Sequence, residues 1–341
     1  MSERLEDIAQ AMVAAGKGIL AADESTGTIK KRFDSISVTS TEETRRDYRE
    51  MLFSAKDAMT NYISGVILYD ETLRQSAKDG TPFAKMIQAS GAIAGIKVDA
   101  GAVDLPGFPG EKITEGLDGL AGRLQEYHKL GARFAKWRAV IDIADGLPTW
   151  GAVKANAQAL ARYAGLCQAN GIVPIVEPEV LMDGPIASHD AATCEKVTIW
   201  VLQTVFNELH DARINLEAMV LKPNMVVAGK NAKNQASPEE VAERTLKALK
   251  ATVPSLVPGI AFLSGGQSDE LATQHLSLMN EAPLPWKLTY SYGRALQASA
   301  LKAWGGKAEN IAAGQAAFTH RARMNSLAAL GQWNKAAEKA V

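Results

Sequence analysis

Eight short apolar segments recur along the chain, and their alternation with helical patterns constrains the fold more than any other feature of the sequence. They occupy residues 18–23, 63–69, 94–99, 132–140, 171–178, 216–223, 259–266 and 286–293. Their nearly continuous hydrophobic character is typical of parallel strands that are covered by helices on both faces. Eight alternations of strand and helix favour a closed (β/α)8 barrel.

Helix start signals lie between the strand segments. Ser40 and Glu43 have the spacing of a capping box. Ser237 is expected to cap another helix, in which Pro238 takes the first position and Glu240 completes the box. Both signals precede residues with helical periodicity, so each predicts the beginning of a helix.

The two ends of the chain carry helical patterns of their own. Leu5 and Ile8 follow helical spacing, which predicts an amphipathic helix over about residues 2–15. Residues 300–341 are rich in alanine and predict a helical appendage after the eighth strand. No low-complexity linker divides the chain, so we predict an α/β fold with a single TIM-barrel domain over residues 1–341.

An open, doubly wound sheet is the alternative architecture. It would require a glycine-rich phosphate-binding turn after the first strand. The sequence there, AADESTG, does not provide one.

Composition excludes several function classes. Hydrophobic residues make up 47% of the chain and charged residues 22%, which is enough for a large core. The net charge of −1 gives no overall positive field for nucleic acid or a membrane surface, and no apolar stretch is long enough to span a membrane. No signal-type segment begins the chain, and Cys167 and Cys194 are expected to be reduced core thiols, so a cytoplasmic location is predicted.

Polar side chains gather where the predicted strands end, which is the active-site face of a TIM barrel. In strand order they are Asp23, Glu24 and Ser25, Lys97 and Asp99, Lys136 and Arg138, Glu177 and Glu179, Lys222, Ser264 with Gly265 and Gly266, and Ser291 with Gly293 and Arg294. A purely structural ring of ion pairs is one interpretation. Each buried charge costs free energy unless it is paired. The large number of ionisable groups at one barrel mouth therefore favours an active site.

In the segment LEAMVLKPNMV, Lys222 ends the apolar run that begins at Leu216, and it is the candidate nucleophile. Burial and a neighbouring cation, for which Lys136 is the candidate, favour the uncharged amine. An uncharged amine can attack a carbonyl to form a Schiff base, which stabilises a carbanion at the adjacent carbon. Glu177 is placed to transfer protons, and Asp23 could accept the proton of a substrate hydroxyl. A salt-bridged lysine without chemical function is the alternative for Lys222 taken alone.

Phosphate-binding signals accompany the lysine. Backbone N–H groups of the sequence Ser264-Gly265-Gly266, together with Ser291 and Arg294, occupy the loops that usually bind phosphate in this fold. A glycine pair alone only indicates a turn. Arg32 beside Lys31 could hold a second anion, although a solvated charge run at a helix end would look the same.

The histidines do not predict a metal site. The chain has five: His128, His189, His210, His275 and His320. None lies at a predicted strand end or pairs with another at ligand spacing, so ordinary surface or core histidines are expected. The tryptophans form no stripe with basic residues on which bases could stack.

Seven segments, LAADESTGTIKKR, GIKVD, FAKWR, PIVEPE, LKPNMV, FLSGGQS and SYGRALQAS, resemble in this order those of class I fructose-bisphosphate aldolase. The resemblance runs from about residue 5 to 330. It implies a (β/α)8 barrel that reversibly cleaves fructose 1,6-bisphosphate to dihydroxyacetone phosphate and glyceraldehyde 3-phosphate, in glycolysis and gluconeogenesis. It implies neither a metal nor another cofactor, and it suggests a homotetramer.

The resemblance also assigns roles to individual positions. It implies that Lys222 forms the Schiff base, that Glu177 transfers protons beside Glu179, that Asp23 deprotonates the C4 hydroxyl and that Lys136 supplies the neighbouring cation. The C1-phosphate side is implied for Ser264, Gly265, Gly266, Ser291 and Arg294, with Arg32 as a substrate-binding arginine; the C6-phosphate side is implied for Ser25, Thr28, Lys97 and Arg138. Thr28 stands where the family often has serine, a change that keeps the hydroxyl.

One departure from the family concerns the last residues. Animal members end in a longer tail whose terminal tyrosine assists proton transfer, whereas GQWNKAAEKAV contains no tyrosine. We expect another group or water to serve that step, or the step to be slower.

Two other functions remain open at this point. Another Schiff-base lyase or a transaldolase would share the nucleophile but need only one phosphate site. A catalytically silent barrel would serve as a binding scaffold, and the presence of Lys222, Glu177, Asp23 and Lys136 argues against it.

Overall fold

The computed structural model describes residues 4–339, and its centre is a closed barrel of eight parallel strands. The described residues contain ten strands: β1 (Gly18–Ala22), β2 (Ile63–Leu68), β3 (Ile93–Lys97), β4 (Gly101–Asp104), β5 (Lys112–Glu115), β6 (Phe134–Ile141), β7 (Val173–Val180), β8 (Val220–Leu221), β9 (Gly259–Phe262) and β10 (Lys287–Tyr292). Strands β4 and β5 form a separate antiparallel pair outside the barrel. The barrel order is β1-β2-β3-β6-β7-β8-β9-β10, with β10 pairing back to β1. The predicted barrel is confirmed, and the open sheet is excluded.

Helices surround the barrel. They are α1 (Leu5–Met12), α2 (Thr26–Asp34), α3 (Glu42–Phe53), α4 (Lys56–Asn61), α5 (Asp70–Arg74), α6 (Phe83–Ala89), α7 (Leu120–Lys129), α8 (Trp150–Ala169), α9 (Ala191–Asp211), α10 (Pro238–Thr252), α11 (Asp269–Met279), α12 (Arg294–Trp304), α13 (Ile311–Ala329) and α14 (Lys335–Lys339). Residues 2 and 3 of the predicted N-terminal helix and residues 340–341 of the predicted appendage lie outside the described range. Within residues 4–339, none of the helices has both the length and the apolar composition needed to cross a membrane.

One of the two predicted capping boxes is wrong and the other forms only in part. Helix α3 is capped by Thr41, one residue after Ser40, and the reciprocal partner is Thr44 rather than Glu43. Ser237 does cap α10, and Pro238 takes the first helical position. The Glu240 carboxylate accepts from Arg244 one turn later, so the predicted reciprocal bond gives way to an ion pair.

Successive side chains along each barrel strand alternate between two apolar environments. One side chain in two faces the surrounding helices, and the others form a separate cluster inside the barrel that includes Ile19, Phe134 and Val173. Helix α1 contributes Ile8 and Met12 to this inner cluster. Dry apolar packing therefore fills one part of the barrel interior.

Polar residues continue this inner set toward the carboxyl ends of the strands. Asp23 lies four residues after Ile19, and Glu177 lies four after Val173, so each has the parity of an inward-facing residue. Lys136 follows Phe134 by two residues, and Lys222 follows the inner residue Val220 by two. The alternation that fills the barrel with apolar side chains thus aims four ionisable groups at its open end.

The buried histidine His275 predicts an acid-sensitive fold. It is 2% exposed, its Nδ1 donates to Gln267 Oε1 at 2.6 Å, and burial lowers its pKa to about 4. Below its ordinary pKa of about 6.5 the unfolded chain binds a proton that the folded chain excludes, so stability falls as the pH drops toward 4. We expect His275 to contribute a loss on the order of 3 kcal/mol across this interval.

Urea unfolding at pH 7 and at pH 4.5 measures this loss. The variant His275→Gln should show a shallower decrease in the free energy of unfolding than the wild type, whereas the exposed control His210→Gln should keep the wild-type decrease. Equal decreases in all three proteins would contradict the assignment.

Candidate active site

A cavity of about 660 Å³ opens at the carboxyl ends of the barrel strands. The sequence-predicted residues that line it are Asp23, Ser25, Thr28, Arg32, Lys97, Lys136, Arg138, Glu177, Glu179, Lys222, Ser264, Gly265, Ser291 and Arg294. Gly266 is the predicted site residue that does not line it. These residues come from seven barrel strands and the segments that follow them, so closure of the barrel brings together positions that are remote in sequence.

Three ionisable side chains, those of Lys136, Glu177 and Lys222, meet in this cavity. Lys222 Nζ lies 3.3 Å from Glu177 Oε1, and Lys136 Nζ lies 3.5 Å from Glu177 Oε2. All three side chains are buried. One buried carboxylate therefore lies within 3.5 Å of two buried amines.

A second carboxylate completes the cluster on the β1 side. Asp23 Oδ2 lies 2.8 Å from Lys136 Nζ. Burial opposes ionisation of Asp23, but the charges of Lys136, Lys222 and Lys97 lower its pKa well below the ordinary range. Asp23 is thus a carboxylate at neutral pH and can accept a proton only from a strong donor or a reacting hydroxyl.

Lys136 is the permanent cation of the cluster. Burial alone would lower the pKa of its amine, but the carboxylates of Asp23, Glu177 and Asp99 raise that pKa above its ordinary value. Lys136 is therefore positively charged at neutral pH, and the carboxylate of Glu177 lies between its amine and that of Lys222.

The loops after β9 and β10 form one wall of the cavity. Arg294 Nη2 donates to the carbonyl of Gly265 at 2.6 Å and lies 3.3 Å from Asp183 Oδ2. The N–H of Gly266 is directed at Met182 Sδ, 3.1 Å away, rather than into the cavity. Ser264 and Ser291 are buried and line the cavity beside this loop.

A second wall, at the carboxyl ends of β1, β3 and β6, carries the other predicted anion-binding groups. Arg138 pairs with Glu179, and Lys97 Nζ lies 2.6 Å from Asp99 Oδ1. Ser25 is the N-cap residue of α2, and its hydroxyl lies 3.1 Å from that of Thr28. The cavity thus has basic and hydroxyl groups on both of these walls.

A family model described as "Glycolytic: Fructose-bisphosphate aldolase class-I" matches residues 4–341. The chain is 55% identical over 333 residues to a probable fructose-bisphosphate aldolase class 1 of Xanthomonas axonopodis, covering 97% of this chain and 98% of that protein. It is 54% identical to fructose-bisphosphate aldolase B of Gallus gallus over 96% of this chain and 90% of that protein. The chain belongs to the class I fructose-bisphosphate aldolase family.

A solved aldolase has the same fold. The fructose-bisphosphate aldolase of Plasmodium falciparum, crystallised with TRAP and a small-molecule inhibitor, matches with a TM-score of 0.94 and 49% identity, covering 97% of this chain and 95% of that one. The reaction of this aldolase family is the reversible cleavage of fructose 1,6-bisphosphate to dihydroxyacetone phosphate and glyceraldehyde 3-phosphate, a step of glycolysis, and it is the reaction of this chain.

Sequence patterns did not single out the buried network behind Arg32. Glu24 pairs with Arg32 at the cavity wall and, through Oε2, with the buried Arg49 at 2.7 Å. Gln297 Nε2 donates to Glu24 Oε1 at 3.0 Å and to the carbonyl of Ala21 at 2.7 Å. Glu24 directly follows Asp23 in the sequence. Predicting its buried contacts would have required knowing that α3 and α12 pack against this strand end.

The histidines lie outside the cavity that holds the lysine cluster. None of the five lines the cavity, and residues 4–339 contain no group of three His, Cys, Asp or Glu that could hold a metal ion. Both cysteines are buried and free.

Proposed function

We propose that the chain carries out its aldol reaction through a Schiff base on Lys222, with Glu177 as the proton-transfer group. The observation that carries this assignment is the position of the Glu177 carboxylate, 3.3 Å from Lys222 and 3.5 Å from Lys136. Only an uncharged amine attacks a carbonyl, and Glu177 is within reach of the proton that Lys222 must lose. Glu179 lies two residues after Glu177 on β7 and pairs with Arg138, and we assign it a supporting role beside Glu177.

Each step of the proposed cleavage has a group in place. Lys222 adds to the C2 carbonyl of the ketose, and Glu177 protonates the departing hydroxyl of the carbinolamine, which leaves as water and gives the iminium. Asp23 then takes the proton of the C4 hydroxyl as the C3–C4 bond breaks. The bonding electrons pass into the iminium to give an enamine, and glyceraldehyde 3-phosphate leaves. Protonation at C3 and hydrolysis release dihydroxyacetone phosphate and restore the amine.

The ionisation of the cluster supports these roles. Asp23 is held as a carboxylate, so it is a proton acceptor throughout the neutral range. Lys136 retains its charge and stabilises the negative charge that develops on departing oxygen atoms. The predicted division into a nucleophile, a proton-transfer acid and base, a hydroxyl base and a fixed cation is therefore chemically consistent.

Two walls with basic residues support the binding of two phosphates. We assign the C1 phosphate to Ser264, Gly265, Gly266, Ser291, Arg294 and Arg32, and the C6 phosphate to Ser25, Thr28, Lys97 and Arg138. Gly266 can serve the C1 phosphate only if its N–H exchanges the Met182 thioether for a phosphate oxygen. A thioether is a weak acceptor, so that exchange favours the charged ligand.

The assignment of the walls predicts a split between substrates. The variant Arg294→Gln should lower kcat/KM for fructose 1,6-bisphosphate and for fructose 1-phosphate alike, by about 10- to 100-fold, because both ligands carry the C1 phosphate. The variant Arg138→Gln should lower kcat/KM by about tenfold for the bisphosphate alone. Steady-state kinetics with both sugars measures the split, and an equal loss for both sugars in Arg138→Gln would contradict it.

Trapping with borohydride tests the Schiff base directly. Incubation of the wild-type chain with dihydroxyacetone phosphate and sodium borohydride should inactivate it irreversibly, and peptide mass analysis should place the added mass on Lys222. Turnover in EDTA should be unchanged, because the iminium serves as the electron sink. Mass on another lysine, or turnover that stops with EDTA, would overturn the proposal.

We further infer a homotetramer of one-domain chains in the cytoplasm. The family commonly forms tetramers, and one apolar cluster includes residues from nearly every helix of the described chain, which supports a single domain. The glycolytic reaction and the two unpaired buried thiols support a cytoplasmic location. Light scattering that returned the mass of one 36.4 kDa chain would exclude the tetramer.

A further inference from the structure

The segment that carries Lys222 is buried but has almost no regular structure. Strand β8 consists of Val220 and Leu221 alone, and the chain from there to Gly229 is buried without a helix or strand. Backbone groups in such a segment need partners other than a strand ladder. How this segment is held decides where the Lys222 amine lies.

One proline, Pro178, interrupts the ladder between β7 and β8, and a second, Pro223, removes an N–H on the β9 side of the same segment. The last regular bond runs from the N–H of Lys222 to the carbonyl of Val176 at 2.8 Å. In a continued parallel ladder the next donor would be residue 178, which is proline and has no N–H. Pro223 directly after Lys222 likewise has no donor. The strands therefore separate at the residues that perform the chemistry.

The side chain of Asn224 restores the missing connection. Its Oδ1 accepts from the N–H of Val180, the last residue of β7, at 3.0 Å. Its Nδ2 donates to Thr198 Oγ1 on α9 at 3.1 Å and to the carbonyl of Met225 at 3.1 Å. Asn224 is 1% exposed, so these bonds have no competition from solvent. An amide side chain thus replaces the ladder and joins three parts of the fold.

We propose that Asn224 is a positioning residue for the Schiff-base reaction, because its amide holds the backbone of Lys222 against the strand that carries Glu177. Asn224 does not line the cavity, so it acts through Lys222 and not on the substrate. The inference rests on the proposed role of Lys222. The Asn224 amide is proposed to fix the distance between Lys222 Nζ and Glu177 Oε1, which is 3.3 Å.

The variant Asn224→Ala tests the role. A displacement of about 1 Å in a reacting group can cost roughly 100-fold in rate, so we expect kcat to fall about 10- to 100-fold. The KM should change by less than about threefold, because the residues of the phosphate walls are untouched. The rate of borohydride trapping with dihydroxyacetone phosphate should fall in parallel with kcat.

Asn325→Ala is the matched control. Like Asn224, Asn325 on α13 is fully buried and does not line the cavity. Its side-chain oxygen accepts a hydrogen bond from Thr273 Oγ1 at 2.6 Å. Both variants should lower Tm. Only Asn224→Ala should lower kcat and the trapping rate, so an equal loss of kcat in Asn325→Ala would overturn the proposal.

A second variant, Thr198→Val, applies if Asn224→Ala does not fold. It removes the hydroxyl that accepts from Asn224 Nδ2 while keeping the volume of the side chain. We expect kcat to fall about three- to tenfold with KM unchanged. A folded Thr198→Val or Asn224→Ala with wild-type kcat and trapping rate would overturn the proposal. If wild-type trapping labels a lysine other than Lys222, the proposed function itself fails, and that result is distinct from the previous one.

Discussion

Replacing Lys222 by methionine is expected to abolish aldol cleavage, with kcat lowered by roughly 10⁴-fold or more. Methionine fills the volume of the lysine stem but has no amine, so no iminium can form and the C3–C4 bond has no electron sink. Lys222 is 4% exposed, and an apolar replacement leaves no buried charge behind on its own side chain. The variant should therefore fold, bind the sugar phosphate and fail to turn it over.

Cleavage and borohydride trapping give independent measurements of this result. The control is Lys247→Met, which removes an exposed lysine that pairs with Glu195 outside the cavity. It should retain the wild-type kcat and trapping. Covalent labelling of Lys222→Met by substrate and borohydride, at the wild-type rate, would show that a different amine is the nucleophile.

The barrel could be predicted because burial and strand periodicity act on every strand in the same way. All eight predicted segments overlap a barrel strand, but the strand in the sixth segment, β8, is much shorter than the apolar run that predicted it. Leu216–Ala218 forms a 3-10 turn before β8, and Pro223 follows it closely. Hydrophobicity reports burial rather than ladder pairing, so the residues 216–223 looked like a full strand.

The β4–β5 hairpin was missed for a related reason. Its two strands pair Gly101 with Glu115 and Asp104 with Lys112, and its side chains are largely exposed. A short exposed ribbon has no buried face, so its sequence lacks the apolar pattern that predicted the barrel strands. Local turn chemistry alone does not distinguish such a ribbon from a loop.

Position at the predicted strand ends indicated which residues enter the site, but not how their charges pair. Two residues of one sign on different strands look equivalent in sequence, yet Lys136 contacts both Asp23 and Glu177, whereas Lys97 contacts Asp99. That partition depends on barrel tilt and side-chain reach across the cavity. The shared use of Glu177 by two lysines is therefore a property of the closed barrel.

The variant Asp23→Asn should separate Schiff-base formation from carbon–carbon cleavage. The amide that replaces the carboxylate cannot accept the C4 hydroxyl proton, so kcat for cleavage of fructose 1,6-bisphosphate should fall roughly 10²- to 10⁴-fold. Lys222 and Glu177 are unchanged, and dihydroxyacetone phosphate has no C4 hydroxyl to deprotonate. Borohydride trapping with dihydroxyacetone phosphate should therefore continue within about tenfold of the wild-type rate.

The expected small decrease in the trapping rate of Asp23→Asn follows from a weaker stabilisation of the charge on Lys136. Asp23 is the strongest of the carboxylates that raise the pKa of Lys136, and its loss leaves Glu177 and Asp99 to hold that charge. The exposed control Asp211→Asn should keep both activities. If Asp23→Asn lost trapping and cleavage to the same extent, Asp23 would act by ordering the lysine cluster, and the C4 proton would go to another acceptor. A loss confined to cleavage assigns the bond-breaking step to the β1 side of the barrel and the carbonyl chemistry to the β7–β8 side.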